Sequence, residues 1–196
     1  MAMKEVISIK RKDFEVLEHL GEHSFKVERH GKIFFLKKYD NKDKFNEFVK
    51  NSHRLKITAI DVPKVYMFEK DQMISVVEYI EGNTMLEELS KADITNEEIY
   101  RLLMLIEWYG RREKVRLDFH PEFYKFHGKK LVYLPYIFTT FEPNYNFNMN
   151  DIRLWFPTKE LCSYVKSKGL PFDENRIGNE YAINKAIALM VVKYHM

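Results

Sequence analysis

Leu117-Asp118-Phe119-His120-Pro121-Glu122-Phe123, followed by Tyr124-Lys125-Phe126, His127-Gly128 and Leu131-Val132-Tyr133-Leu134, reads as a loop that runs into a β-hairpin. The hairpin follows from aromatic and aliphatic residues alternating on both sides of His-Gly, where glycine supplies the positive φ of a tight turn. Upstream, Ile99, Leu102, Leu103, Ile106 and Tyr109 share one helical face, so a helix running to about Lys114 delivers the chain to Asp118. Thr84 with Glu87 and Thr95 with Glu98 match the capping box, in which the threonine oxygen accepts a backbone N–H and the glutamate reaches back, so two helices start there. Downstream, Ile137 to Asn150 is aromatic, Asn-rich and irregular. Thr158 to Lys168 reads as a helix closed by Gly169 and Pro171, and Asn179 to His195 as a last, largely apolar helix.

Residues 1–80 read mostly as strands. Phe14 to Leu20 and Phe25 to Arg29 flank a turn at Gly21-Glu22-His23-Ser24, and His30-Gly31 turns the chain into Lys32 to Lys37, which makes a three-strand meander. Phe45, Phe48, Val49, Ser52 and Leu55 then form one stripe of a helix over Lys42 to Lys56. Val65 to Glu69 and Met73 to Tyr79 are two further β-rich runs joined at Lys70-Asp71.

Composition sets the outer bounds. A chain of 196 residues, 45% hydrophobic and 15% aromatic, can bury a sizeable core and fits one domain or one bilobal domain. No run of about 18 apolar residues is present to cross a bilayer, and Met1 to Lys12 lacks the apolar centre of a signal peptide. The expectation is therefore a cytoplasmic protein without membrane insertion. Cys162 is the only cysteine, which excludes an intrachain disulfide and a cysteine-only metal cage; it reads as a small buried hydrophobe. The seven histidines show no metal-ligand spacing. A net charge of +3 spread over 61 charged residues says little about nucleic acid, since binding driven by phosphate needs a concentrated patch, and nucleic acid is not the expected partner. The densest basic cluster, Arg111, Arg112, Lys114 and Arg116, reads first as a complement to the helix C-terminal dipole and second as a phosphate-, lipid- or RNA-binding patch.

The order of these pieces resembles the protein-kinase-like superfamily over nearly the whole chain. The resemblance implies an α+β, bilobal fold: an N-lobe over 1–80 with a five-stranded antiparallel sheet and one helix, and a reduced helical C-lobe over 81–196 with a β-hairpin. Leu36-Lys37 looks like the third-strand motif whose lysine pairs the ATP phosphates, and Glu47 sits where that lysine's partner would be. Val77-Glu78-Tyr79-Ile80-Glu81-Gly82 resembles a hinge whose backbone meets the adenine edge. Asp118 would be the acceptor that orients the attacking hydroxyl. Gly21 is the one glycine kept of the family's Gly-rich turn, with His23 and Lys26 at the other two positions, and Lys26 could itself touch phosphate.

The same resemblance exposes what is missing. The family places an asparagine five residues after the catalytic aspartate and an aspartate one hairpin later, and both hold magnesium. Here those positions are Phe123 and, in Leu134-Pro135-Tyr136, Pro135, neither of which offers an oxygen ligand. Two functions follow from different classes. One is a pseudokinase: a binding or regulatory module that requires no cofactor and meets a protein partner through its C-lobe or through Tyr136, Phe138, Phe141, Tyr145, Phe147, Trp155 and Phe156. The other is a small atypical kinase, ATP-dependent on a protein, sugar or lipid head group, with Asp118 as base, Lys37 as phosphate clamp and any magnesium held mainly by the phosphates. Each residue also has a structural reading. Lys37 and Glu47 can be an ion pair that ties helix to sheet, Lys26 a solvated lysine, Asp118 a hydrogen-bonding anchor of its loop, His120 a packing residue, and the aromatic segment a cover over the vacant metal position.

Overall fold

The computed structural model describes residues 5–128, 130–134, 142–144 and 147–194. Pro135, Tyr136, Phe138, Phe141 and Tyr145, and with them most of the aromatic segment, lie outside the described residues. The fold is α+β. Strands β1 (Val6–Ile9), β2 (Lys12–Gly21), β3 (Ser24–Arg29) and β4 (Lys32–Lys38) lead to helix α1 (Lys42–Lys56), then to β5 (Val65–Glu69) and β6 (Ile74–Glu78). A mainly helical half follows: α2 (Met85–Lys91), α3 (Glu97–Glu113), the hairpin β7 (Tyr124–His127) and β8 (Lys130–Tyr133), α4 (Phe147–Asn150), α5 (Lys159–Ser167) and α6 (Glu180–Tyr194). No helix among the described residues is long and apolar enough to cross a membrane.

The first sheet is antiparallel throughout, in the order β1-β2-β3-β4-β6-β5. It has six strands rather than the five expected. The additional strand, β1, pairs Ile7 with Phe14 and Ile9 with Lys12, and its alternate residues Ile7 and Ile9 are buried. Its turn is made by Lys10 and Arg11, both at positive φ (47° and 63°), without the Gly or Asn that normally announces such a hairpin. At the β3–β4 turn the usual chemistry is present, with Gly31 at φ 71° after His30.

Capping explains the helix starts. Asn41 caps α1 by accepting the Asp43 N–H, and the Thr84–Glu87 box at α2 has both of its bonds. At α3 the cap is Asn96 rather than Thr95: the Asn96 side chain accepts from the N–H groups of Glu98 and Ile99. Thr95 instead donates its hydroxyl to the Trp155 carbonyl, so a tertiary bond has taken the residue that the local pattern assigned to the cap.

Two apolar faces organise the interior. One side of the curled sheet buries Ile9, Phe14, Val27, Leu36 and Val76. The other side faces Phe45, Phe48 and Leu55 of α1 and belongs to a core that continues through Leu103, Leu117 and Tyr124 to Trp155 and Leu161. The Asp118 loop is thus hung on the helical half of one continuous core.

Candidate functional site

The loop begins where α3 stops. Lys114 takes a left-handed conformation (φ 52°) as the C-cap, and Val115 N–H returns to the Gly110 carbonyl at 2.9 Å. Val115 and Leu117 are buried against the helix end. Beyond them the loop is held from two sides. The Asp118 N–H donates to the Tyr133 hydroxyl of β8 at 3.1 Å, and the Trp155 indole N–H donates to the Phe119 carbonyl at 2.8 Å. Burial pushes the Tyr133 phenol well above its ordinary pKa, which keeps it protonated and able to accept from Asp118 as a neutral hydroxyl.

Asp118 is turned back on its own loop. Its Oδ1 accepts the His120 N–H at 2.9 Å and lies 3.7 Å from His120 Nδ1. Nδ1 also meets the Tyr164 hydroxyl of α5 at 3.0 Å, and Nε2 lies 3.5 Å from Asp151 Oδ1. Asp151 and Tyr164 are site residues that the sequence did not reveal, since only the tertiary fold brings α5 and the segment after α4 to this loop. The His120 pKa is raised, chiefly by Asp151 and then by Asp118, Asp151 and Glu122 as nearby charges, against an opposing effect of burial. Tyr164 is pushed up by burial and then by Glu122, so its hydroxyl stays protonated. Glu122 in turn is bridged to Lys168 at 3.1 Å.

Oxygens of Asp118 and Asp151 and a nitrogen of His120 all fall within 4.8 Å of one another, a spacing that one cation could span. A metal would have to take an imidazole nitrogen away from Asp151 or Tyr164. Protonation of the ring requires no such displacement, and the two carboxylates beside it favour the charged form. Phe123 adds no ligand: its ring is stacked on His120 at 6.4 Å and 19°, and its backbone carbonyl accepts the Leu134 N–H at 2.7 Å.

The raised His120 pKa predicts a pH dependence. A histidine whose folded pKa is raised contributes stability that is fully present below its unfolded value, near 6.5, and lost as pH rises through the folded value. With 36% of the His120 side chain exposed, solvent screening holds this to about 1 kcal/mol or less. Urea denaturation across that window should show wild type losing stability relative to His120→Gln as pH rises; parallel curves would exclude the imidazolium.

On the sheet side the expected nucleotide contacts are only partly assembled. Lys37 and Glu47 form no ion pair among the described residues, contrary to the lysine–glutamate link expected. Glu47 is half-buried at the margin of the α1 stripe, while the charges that act on Lys37 are Lys44 and Asp40. Burial, with Lys44 adding repulsion, holds the Lys37 pKa below its usual value. Its ammonium lies 5.6 Å from the Tyr39 ring centre.

Lys26 and Tyr79 do come together. The Lys26 ammonium sits 4.6 Å over the Tyr79 ring, and Lys125 of β7 approaches the same ring at 5.5 Å. Lys125 also donates to the Ile80 carbonyl at 3.1 Å, so an acceptor of the hinge-like stretch is already occupied by a side chain. Glu78 is engaged with the residue that leads into β5: its carboxylate accepts the Lys64 N–H at 3.2 Å, and its own N–H donates to the Lys64 carbonyl at 2.8 Å. Gly21 pairs with Ser24 at the β2–β3 hairpin, next to an exposed turn.

The Arg111 to Arg116 cluster is largely neutralised. Arg111 pairs with Glu107 at 3.0 Å, Arg112 with Glu113 at 3.0 Å, and Arg116 with Glu142. Arg112 also lies over the rings of Trp108 and Tyr109. Cys162 is buried on α5 as a free thiol.

No protein-family model and no curated protein matches this sequence. Among solved structures, the choline kinase LicA from Streptococcus pneumoniae is similar over 97% of this chain and 86% of that chain, at 14% identity and a TM-score of 0.42. A likeness of that extent transfers neither activity nor substrate. The functional reading rests on the residues themselves.

Proposed function

We propose that this chain is a kinase-like protein that performs no magnesium-dependent phosphoryl transfer and works as a binding or regulatory module, a pseudokinase. The observation that carries this reading is the Asp118–His120–Asp151 arrangement. The carboxylate that would orient an attacking hydroxyl bonds its own loop and faces the His120 ring. Phosphoryl transfer needs that carboxylate beside a phosphate whose charge a metal has neutralised. The residue at the first metal position, Phe123, is instead part of the packing under the loop. Lys125 on the Ile80 carbonyl supports the same reading, because it already engages an acceptor of the hinge-like stretch.

Thermal unfolding with ATP, with magnesium and with both is the test. The expected result is no magnesium-dependent shift with ATP; a stabilisation of several degrees that requires the metal overturns the reading.

One observation favours a second reading. Asp118 keeps 32% of its side chain exposed, as a base that must reach a substrate would. In that atypical kinase Asp118 is the base and Lys37 the phosphate clamp. ATP turnover that disappears in Asp118→Asn supports it, whereas equal turnover in wild type and variant marks a contaminant.

A further inference from the structure

The first sheet ends on an edge that no other described strand covers. β5 is outermost in the strand order, so alternate backbone N–H and C=O groups along Val65–Glu69 point away from β6. Edge strands are normally blunted by charge, proline or a bulge; β5 has a register shift between Val65 and Met67 and a charge only at its end, Glu69, which Lys10 holds at 2.9 Å, while Val65-Tyr66-Met67-Phe68 carries no charge and no proline. Beside this edge, between β5, the second half of α1 and the connection over 60–64, lies a cavity of about 690 Å³. Phe48, Leu55, Ile60, Val65, Phe68 and Val77 make it apolar. Ser52 is among the lining residues, its Oγ buried and without a hydrogen bond among the described residues.

The unpaired charges on the rim, among the described residues, are two lysines. His53, Lys56 and Lys64 are exposed around the opening, and neither lysine has a carboxylate within 4.0 Å among the described residues. The acid on the rim, Asp61, is already held by Lys130 at 2.7 Å. An isologous contact between two copies would set these basic rims against each other, which disfavours a second copy as the occupant.

We propose that this groove binds an extended acidic segment of a partner protein, which adds as a strand to the free edge of β5. Main-chain bonds to the edge would supply affinity, one apolar side chain would enter the cavity, and flanking carboxylates would meet Lys56 and Lys64. The proposal rests on the module reading above and names the kind of partner that the module takes.

The test uses the full chain and two labelled decapeptides that alternate valine with glutamate or valine with lysine, each with a central phenylalanine. The acidic peptide is expected to bind at least about tenfold more tightly at low salt, and the double variant Lys56→Glu, Lys64→Glu to reverse that preference. Both substitutions are at exposed positions, so the variant should fold. Amide exchange should slow along β5 when the acidic peptide is bound. Equal affinity for the two peptides, no response to charge reversal, protection that maps elsewhere, or a homodimer that buries β5 each overturns the proposal. The two readings fail separately. Magnesium-dependent ATP turnover with acidic-peptide binding intact removes the pseudokinase and leaves the groove; loss of peptide discrimination without any ATP effect removes the groove alone.

Discussion

Trp155→Ala is expected to cost about 3–5 kcal/mol of stability, the range for emptying a core site of this size, and to release the Asp118 loop. Trp155 is fully buried, edge-on to Tyr124 at 5.4 Å and to Phe147 at 6.4 Å. Its loss would leave a cavity where the aromatic residues of β7, α4 and the loop converge. It would also leave the Phe119 carbonyl, between Asp118 and His120, without the 2.8 Å indole donor. Trp155→Phe separates the two effects. It keeps most of the ring and loses the N–H, so it should cost about 1–3 kcal/mol, the penalty of one buried unpaired acceptor. Urea denaturation gives the two costs, and faster amide exchange at Asp118 and His120 in both variants would tie the indole to the loop. If both substitutions cost the same and loop exchange is unchanged, Trp155 is a packing residue with no hold on the site.

That tie also shows where the sequence was readable. The meander, the helix over Lys42 to Lys56 and the hairpin after Phe123 were legible because periodicity and turn residues are local signals. β1 was not, because Lys10-Arg11 forms a positive-φ turn without the residues that advertise one. The second capping box misled by one residue, since Asn96 caps equally well and Thr95 is recruited by Trp155. At the site, Asp118 and its neighbour His120 could be named from the loop, whereas Asp151 and Tyr164 reach it from distant elements with no spacing to mark them. The expected Lys37–Glu47 link fails for a related reason. Position on a helix stripe says which face a side chain shares, and does not say whether its charged end crosses to a strand.

The second large effect distinguishes packing from helix propensity by its sign. Gly110 lies in the last turns of α3, where glycine is less favourable than alanine by up to about 1 kcal/mol, so propensity alone makes Gly110→Ala stabilising. The packing says otherwise. A Cβ at Gly110 would stand 2.9 Å from Leu117 Cδ1, 3.2 Å from Leu117 Cγ and 3.1 Å from the Val115 carbonyl oxygen. Leu117 is 2% exposed and has little room to swing aside, and the carbonyl is backbone. The strand of loop that leads into Asp118 must therefore move outward, at an overpacking cost of about 1–3 kcal/mol that outweighs the propensity gain. Gly110→Ala should accordingly lose stability, and it should weaken the Asp118 N–H bond to Tyr133, visible as faster exchange of that amide. A stabilised variant with an unchanged Asp118 amide would mean that the loop yields freely, and that its position is set by Tyr133 and Trp155 rather than by the end of α3.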